Sequence, residues 1–466
     1  MGIELLSPAG SRRNMRYAFA YGADAVYAGQ PRYSLRVRNN EFNKIEVMAE
    51  AIDEAHQFGK KFYLASNISP HNDKIRTYLR DLEPIIAMSP DALIMSDPGL
   101  IMLVRDKYPD VPVHLSVQAN AINWATVKFW HRNGIERVIL SRELSLDEIE
   151  EIRMLCPEME LEVFVHGALC IAYSGRCLLS GYMTHRDSNQ GACTNSCRWQ
   201  YNAHKAKENE IGDLIAVDAN PSTQVWTPKD LDNKPSCHSL HNQAPTPDTD
   251  SHHAEIAPML LQEKSRPGEY MPAYEDEHGT YIMNSKDLRA VQHVERLVKM
   301  GIHSLKIEGR TKSHYYAART AQVYRRAIDD AVNGKNFDMN LMLQLEHLAN
   351  RGYTEGFYRR HVPSEYQNYS EGNSSSKKQQ FVGEVIAYDK SDQRLKIEVK
   401  NHFERGDKME LFTPEGNISF TLNSLENLQY EKIETAPGSG HIVYILFDQH
   451  LSLDSNGGMA LLMRYL

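Results

Sequence analysis

Cysteine is scarce in this chain, six of 466 residues, and tryptophan scarcer still at four. No apolar run approaches the roughly 20 residues that a helical membrane span requires. The opening segment MGIELLSPAGSRRN has no basic flank, apolar stretch or small-residue cleavage site of a secretory signal. Together these absences set aside an exported or membrane-embedded protein and lead us to expect a cytoplasmic one. An excess of positive charge is also missing: 52 Lys and Arg stand against 61 Asp and Glu, a net charge of -9. That balance does not suit a protein that coats nucleic acid nonspecifically, although a local basic patch can still grip a small folded RNA. Neither the HExxH motif of zinc proteases nor the GxSxG elbow of serine hydrolases occurs. In a reducing compartment disulfides are a poor use for so few cysteines, which leaves metal binding, redox chemistry or burial.

What the chain does have is a repeated phrase: a short apolar run, a polar or glycine-bearing stop, then a stretch of helical periodicity. The runs are Glu4 to Leu6, Ala25 to Ala28, Phe62 to Ala65, Ala92 to Met95, Val113 to Val117, Arg137 to Leu140, Leu161 to Val165 and Ser304 to Ile307. Short apolar runs of this kind, separated by helix lengths, are the pattern of parallel βαβ units. Eight of them predict an α/β fold, a TIM-type (β/α)8 barrel over residues 1–335, with a doubly wound open sheet as the alternative. A competing run, Tyr281 to Met283, is expected in an inserted hairpin. Between residues 203 and 264 the chain turns rich in Asn, Asp, Pro, Ser and His, and a flexible insertion is expected there. Residues 336–380 read as a helical linker and polar spacer. Residues 381–466 carry alternating runs such as FVGEVIAY, LKIEVKN and HIVYILF, which predict a small antiparallel β domain resembling a barrel.

Barrel chemistry sits where the strands end, and there the sequence places polar residues. Ser7 and Asp97, each before a proline, suit helix starts. Gln118, Asn120, Arg142, His166, Glu308 and Arg310 form a mixture of donors, acceptors and a titratable ring that capping does not require. His166 and Glu308 are the candidates for proton transfer. Arg36 and Arg38, in SLRVRNNEF after the second run, join Arg142 and Arg310 as forked cations suited to carboxylates. Arg310, Lys312, Arg319, Arg325, Arg326 and the run YRRH at 358–361 are candidate phosphate contacts for RNA.

Four of the six cysteines fall just past the seventh run, in HGALCIAYSGRCLLSGYMTHRDSNQGACTNSC. Cys170, Cys177, Cys193 and Cys197 have the spacing C-x6-C-x15-C-x3-C, which favours a metal or cluster site over unliganded thiols but leaves zinc and iron–sulfur open. Cys237, in the insertion, is an alternative fourth ligand. Cys156, on the apolar side of EIEEIRMLCPEM, reads as a buried small hydrophobe.

The stretch EVFVHGALCIAYSGRCLLS, Glu162 to Ser180, resembles the signature of the peptidase U32, or collagenase-like protease, family. ELLSPAG, NQGACTNSCRWQY, RPGEYMPAYEDEHGTYIMNSKDL and SLKIEGRTKS are similar to that family as well. The likeness is greatest to a bacterial branch that modifies tRNA. It implies an enzyme that converts wobble uridine to 5-hydroxyuridine without molecular oxygen, with prephenate as hydroxyl donor. It also implies a 4Fe-4S cluster on Cys170, Cys177, Cys193 and Cys197, and with it a need for electron-donor or cluster-assembly proteins. Prephenate, a dicarboxylate, is then expected near Arg36, Arg38, Arg142 or Arg310. Two rival functions follow from the same residues. One is a U32-type peptidase, which needs Cys170 or Cys177 free as a nucleophile. The other is a non-catalytic iron–sulfur protein that delivers tRNA or prephenate to another enzyme.

Overall fold

The computed structural model describes residues 2–35, 40–168, 201–208, 214–216, 259–263, 270–273, 275–276, 279–280, 287–309, 312–348, 350, 352–359, 379–447, 451, 453 and 457–466. Eight parallel strands close on themselves: Glu4–Pro8, Ala25–Gly29, Lys61–Ser66, Ala92–Met95, Val113–Leu115, Arg137–Ile139, Glu160–Ala168 and Ser304–Ile307. The first pairs with the eighth through Glu4 and Ser304, and the eighth pairs with the seventh, which completes the barrel. The strands expected from the eight apolar runs are these eight, and the open-sheet alternative is set aside by that closure. Helices such as Arg12–Ala20, Ile45–Gln57 and His314–Val332 form the outer layer, several with the caps their sequences announce. Ser11 accepts from the Asn14 backbone, Asp97 accepts from Leu100 ahead of a helix opened by Pro98, and Ser145 with Glu148 forms a capping box.

The barrel interior departs from the apolar expectation. Four charged side chains from four strands meet at its amino-terminal end: Glu4, Arg137, Glu162 and Lys306. Lys306 Nζ lies 2.7 Å from Glu162, Arg137 reaches Glu162 at 3.3 Å and also pairs with Glu4, and Tyr63 and Ser304 hydroxyls donate to Glu4 at 2.7 and 3.0 Å. Burial alone pushes the Glu4 carboxyl upward, but the adjoining Arg137 guanidinium holds it below its usual range. Two acids and two bases thus satisfy one another where water is excluded.

The segment between the seventh strand and Asp287 holds structure that its composition hides. Asn195–Asn284 is a compact unit of its own, and within it Tyr270–Ala273, Met259–Glu263, Tyr201–Glu208 and Leu214–Ala216 form a four-stranded antiparallel sheet in that order. Strands thus occupy both ends of the stretch 203–264. YNAHKAKE carries too few apolar residues to announce a strand, and cross-strand pairing with MLLQE supplies what its own pattern lacks. Residues 217–258 and the run Tyr281 to Met283 lie outside the described residues.

The carboxyl-terminal domain starts two residues before the sequence reading, with Gln379–Asp389 in a six-stranded antiparallel sheet. The preceding linker is not only helical. After the helix Asn340–Glu346, Tyr353–Thr354 pairs in parallel with Asp287–Arg289, a strand laid antiparallel on the seventh barrel strand.

The small domain packs on the barrel's first and last helices. Tyr21 stacks on Phe412 at 4.7 Å between ring centroids while its hydroxyl donates to the Phe412 carbonyl at 2.9 Å, and Tyr17 donates to Glu384 at 3.0 Å. At the centre Arg319, with no exposed surface, forms a forked pair with Glu410 at 3.0 and 3.2 Å. Arg319 is thus withdrawn from the candidate phosphate contacts. Arg325 and Arg326 are likewise engaged, by Asp24 and Asp329 and by Asp330 and Asp338. Arg319→Ala should destabilise the protein by about 3–5 kcal/mol, because it strands a buried carboxylate. The apolar double replacement Arg319→Met with Glu410→Met should recover most of that loss, measured as the denaturant midpoint of each variant.

Candidate active site at the barrel mouth

The carboxyl ends of the strands share a signal in their sequences. ELLS, YLAS, LIMS, HLS and VILS all finish in serine, at Ser7, Ser66, Ser96, Ser116 and Ser141, and all five are buried. Three of them line the mouth with Asn67, which acts as a hub. Its amide nitrogen donates to Ser116 Oγ at 3.3 Å, its side-chain oxygen accepts from the Leu35 backbone at 3.2 Å and from Ser34 at 3.4 Å, and its carbonyl accepts from Ser96 at 3.1 Å. The third, Ser141, has a hydroxyl with no protein partner among the described residues, and the same holds for Glu143 Oε2. Buried oxygens left in this state are costly in an apolar interior and are commonly completed by a ligand or water. The repeated terminal serine is the sign that would have drawn attention to the whole ring.

Two predicted residues are brought together here. Arg142 and Glu308 approach to 3.3 Å, both largely buried, and the Arg142 guanidinium lies 3.7 Å above the Phe164 ring. The stack fixes the guanidinium plane, so its fork presents fixed donors to a carboxylate or a polar ring. Gln118 and Asn120 sit at the rim, but Asn120 is used locally. Held at φ 52°, it closes the turn Val117–Ala119, and its amide donates to the Gln118 carbonyl at 3.0 Å. Arg36, Arg38, Arg310, Cys170, Cys177, Cys193, Cys197 and Cys237 lie outside the described residues. Cys156 is buried, as its helical position predicts.

His166 takes another place from the one expected. Glu162 and Phe164 share the strand face that meets Lys306, so strict alternation would bring His166 onto the same face. A β-bulge intervenes: Lys306 pairs with Phe164, but Ile307 pairs with His166, and Val165 is passed over. His166 is thereby turned to the outer side, 1% exposed, among the rings of Tyr316, Tyr324 and Tyr353, with Tyr324 Oη 3.3 Å from its Nδ1. Burial pushes its pKa down to about 3, so the ring is neutral near neutral pH. Its ring thus faces these tyrosines, while its carbonyl accepts from the backbone of Glu308, the other candidate for proton transfer, at 2.8 Å.

Four tyrosines repair the backbone at this seam. Tyr27, Tyr316, Tyr324 and Tyr358 donate to the carbonyls of Ile307, Glu308, Val165 and Phe164 respectively. Each hydroxyl satisfies an acceptor where the two strands end or slip register. Gly167, at φ +103°, completes the seam, since a Cβ there would stand 2.1 Å from the Glu308 carbonyl oxygen. That contact gives a physical reason for the glycine of the VHGA segment.

A family model described as peptidase family U32 matches residues 10–368, and one for its C-terminal domain matches residues 377–457. This chain belongs to peptidase family U32. It is 60% identical over 461 residues to the tRNA hydroxylation protein P of Escherichia coli (strain K12), covering 99% of this chain and 96% of that protein. It is 57% identical over 463 residues to the tRNA hydroxylation protein P of Haemophilus influenzae, with the same coverage. The tRNA hydroxylation protein P1 of Bacillus subtilis is 32% identical over 452 residues, 96% of this chain and 92% of that one. Among the described residues no helix is long and apolar enough to cross a membrane.

The burial of His166 generates a pH prediction. A histidine whose folded pKa lies below its unfolded value, near 6.5, stabilises the fold fully above that value. The contribution is lost as pH falls through 6.5 toward 3, because the unfolded chain then binds the proton more readily. His114, fully buried in the barrel beside the Tyr63 ring, is shifted in the same direction by desolvation. Stability measured by denaturant unfolding should therefore fall between pH 6.5 and 4, and His166→Gln should flatten that slope.

Proposed function

We propose that this protein hydroxylates a uridine of tRNA, and that the barrel mouth around Arg142, Glu308 and Ser141 is where the reaction takes place. The observation that carries the reading is end-to-end identity of 60% and 57% with two proteins named for tRNA hydroxylation. It is supported by a polar mouth on a fold whose chemistry sits at that end. The finer reading is conversion of wobble uridine to 5-hydroxyuridine with prephenate as hydroxyl donor. Arg142 suits such a dicarboxylate because its fork is stacked and oriented, and Arg36, Arg38 and Arg310 remain candidates beside it. Glu308, the acidic partner of Arg142, is the proposed proton acceptor.

A cluster fits the donor set. Cys170, Cys177, Cys193 and Cys197 follow in sequence the seventh strand, which ends at Ala168, and four thiolates would suit a 4Fe-4S cluster. Replacing the C5 hydrogen of uridine by hydroxyl is a two-electron oxidation of the base, balanced when the hydroxyl donor takes up the two electrons and the proton as its C–O bond breaks. A redox-active cluster supplies electron-transfer or Lewis-acid chemistry to such a reaction, whereas zinc supplies no redox step. Around it the chain's own residues orient the dicarboxylate, accept the proton and keep the mouth enclosed.

The test is anaerobic purification with iron, sulfide and zinc determination, followed by incubation with unmodified tRNA and prephenate. Iron and acid-labile sulfide with formation of 5-hydroxyuridine are expected; zinc without sulfide would sink the cluster, and a loaded protein that binds tRNA yet yields no product would leave a delivery protein. Replacing Cys197 and Cys237 separately by alanine should bleach the cluster in the first case only. Glu308→Gln should lower kcat by about 10²-fold or more, and Arg142→Ala should raise KM for the dicarboxylate, with cluster content unchanged in both.

A further inference from the structure

The carboxyl-terminal domain exposes an aromatic feature that nothing in the barrel uses. Tyr430 and Tyr444 stack with centroids 5.0 Å apart at 23°, Arg394 lies 5.1 Å from the Tyr430 ring and Lys396 6.0 Å from that of Tyr444. Lys396 and Tyr444 are register partners on neighbouring strands, Arg394–Val399 and Ile442–Leu446, and Ile442–Leu446 is an edge of the sheet. Tyr430 is 56% exposed and Tyr444 half-buried, and Leu428 and Leu446, each two residues along the chain from one of them, are exposed.

Tyr430 is also held in a conformation that costs free energy. Its φ of 62° is left-handed, a region that bulky side chains avoid and that glycine or asparagine enters freely. Asn427 enforces it: its side-chain oxygen accepts from the Gln429 and Glu431 backbones at 2.9 and 3.0 Å, and its carbonyl accepts from the Tyr430 backbone at 3.0 Å. A tyrosine kept in a strained turn, with its ring in solvent, has a poor account as a folding device.

We infer that the Tyr430–Tyr444 pair, with Arg394 and Lys396, is a stacking platform for unpaired bases of the RNA substrate. Ring faces stack on any base, and the cations stand where the sugar–phosphate chain of a stacked nucleotide would run. Asp392 and Glu426 offset Arg394, so Lys396, which has no carboxylate partner among the described contacts, is the cation most available to phosphate. Stacking therefore carries more of the binding than charge does. The inference rests on the tRNA reading above, since it assigns that substrate a second point of contact away from the reacting base.

The experiment measures binding of a fluorescent tRNA transcript to the full-length protein, wild type against Tyr430→Gly, Tyr444→Ala and Lys396→Ala, with single-stranded oligouridine and an RNA duplex as competitors. Tyr430→Gly relieves the left-handed strain, so its melting temperature should match or exceed that of wild type while its affinity falls roughly tenfold. Oligouridine should compete with wild type better than the duplex does. Wild-type binding that Tyr430→Gly and Tyr444→Ala leave within twofold would overturn the platform and leave the proposed activity standing. A wild-type protein with no affinity for tRNA would overturn the tRNA reading and the platform with it.

Discussion

Everything at the mouth rests on an exchange of charge at the opposite end of the barrel. Glu4, Arg137, Glu162 and Lys306 come from the first, sixth, seventh and eighth strands, so one balanced cluster ties together the strands that close the cylinder. The arrangement is unforgiving, because removing one member leaves an uncompensated ion where no water enters. It is also specific. An apolar filling would tolerate several stackings of the strands, whereas this one is satisfied only when those four meet, with Tyr63 and Ser304 completing Glu4.

Above that floor the seventh and eighth strands form a second organising seam. The slip in register at Val165 separates two chemistries that the sequence runs together. Phe164 stays inside to support Arg142, while His166 leaves to pack against the outer helix. The same helix, His314–Val332, donates to Glu308 and Val165 on one side and holds Glu410 of the small domain on the other. The carboxyl-terminal domain and the mouth therefore share a rigid support.

The barrel itself was readable because a strand buried on both faces must be short and apolar, and the eight runs are. The mouth was readable in part. Arg142 and Glu308 approach one another from their places after strand ends, which the order of runs and stops already gives. His166 did not follow, because a bulge inverts the face on which every later side chain lies and leaves no composition signal. The charged floor was missed for the opposite reason. Glu4 and Arg137 stand at the margins of their apolar runs, where a charge ordinarily means solvent, Glu162 and Lys306 are single charges inside theirs, and only closure of the barrel brings the four to one another. Arg319 shows the same limit, since a basic residue on a helix reads as surface until another domain covers it.

The pairing of the first strand with the eighth has a consequence for the order of events during synthesis. Seven strands have been synthesised once residue 168 is made, but the strand that closes them begins only at Ser304. The whole cysteine segment and the Asn195–Asn284 unit must be made in between, while the nascent barrel is a curved sheet with two open edges and a floor lacking Lys306. Contacts this distant along the chain form late and slowly. The four cysteines at 170, 177, 193 and 197 are thus all synthesised before the strand that closes the barrel.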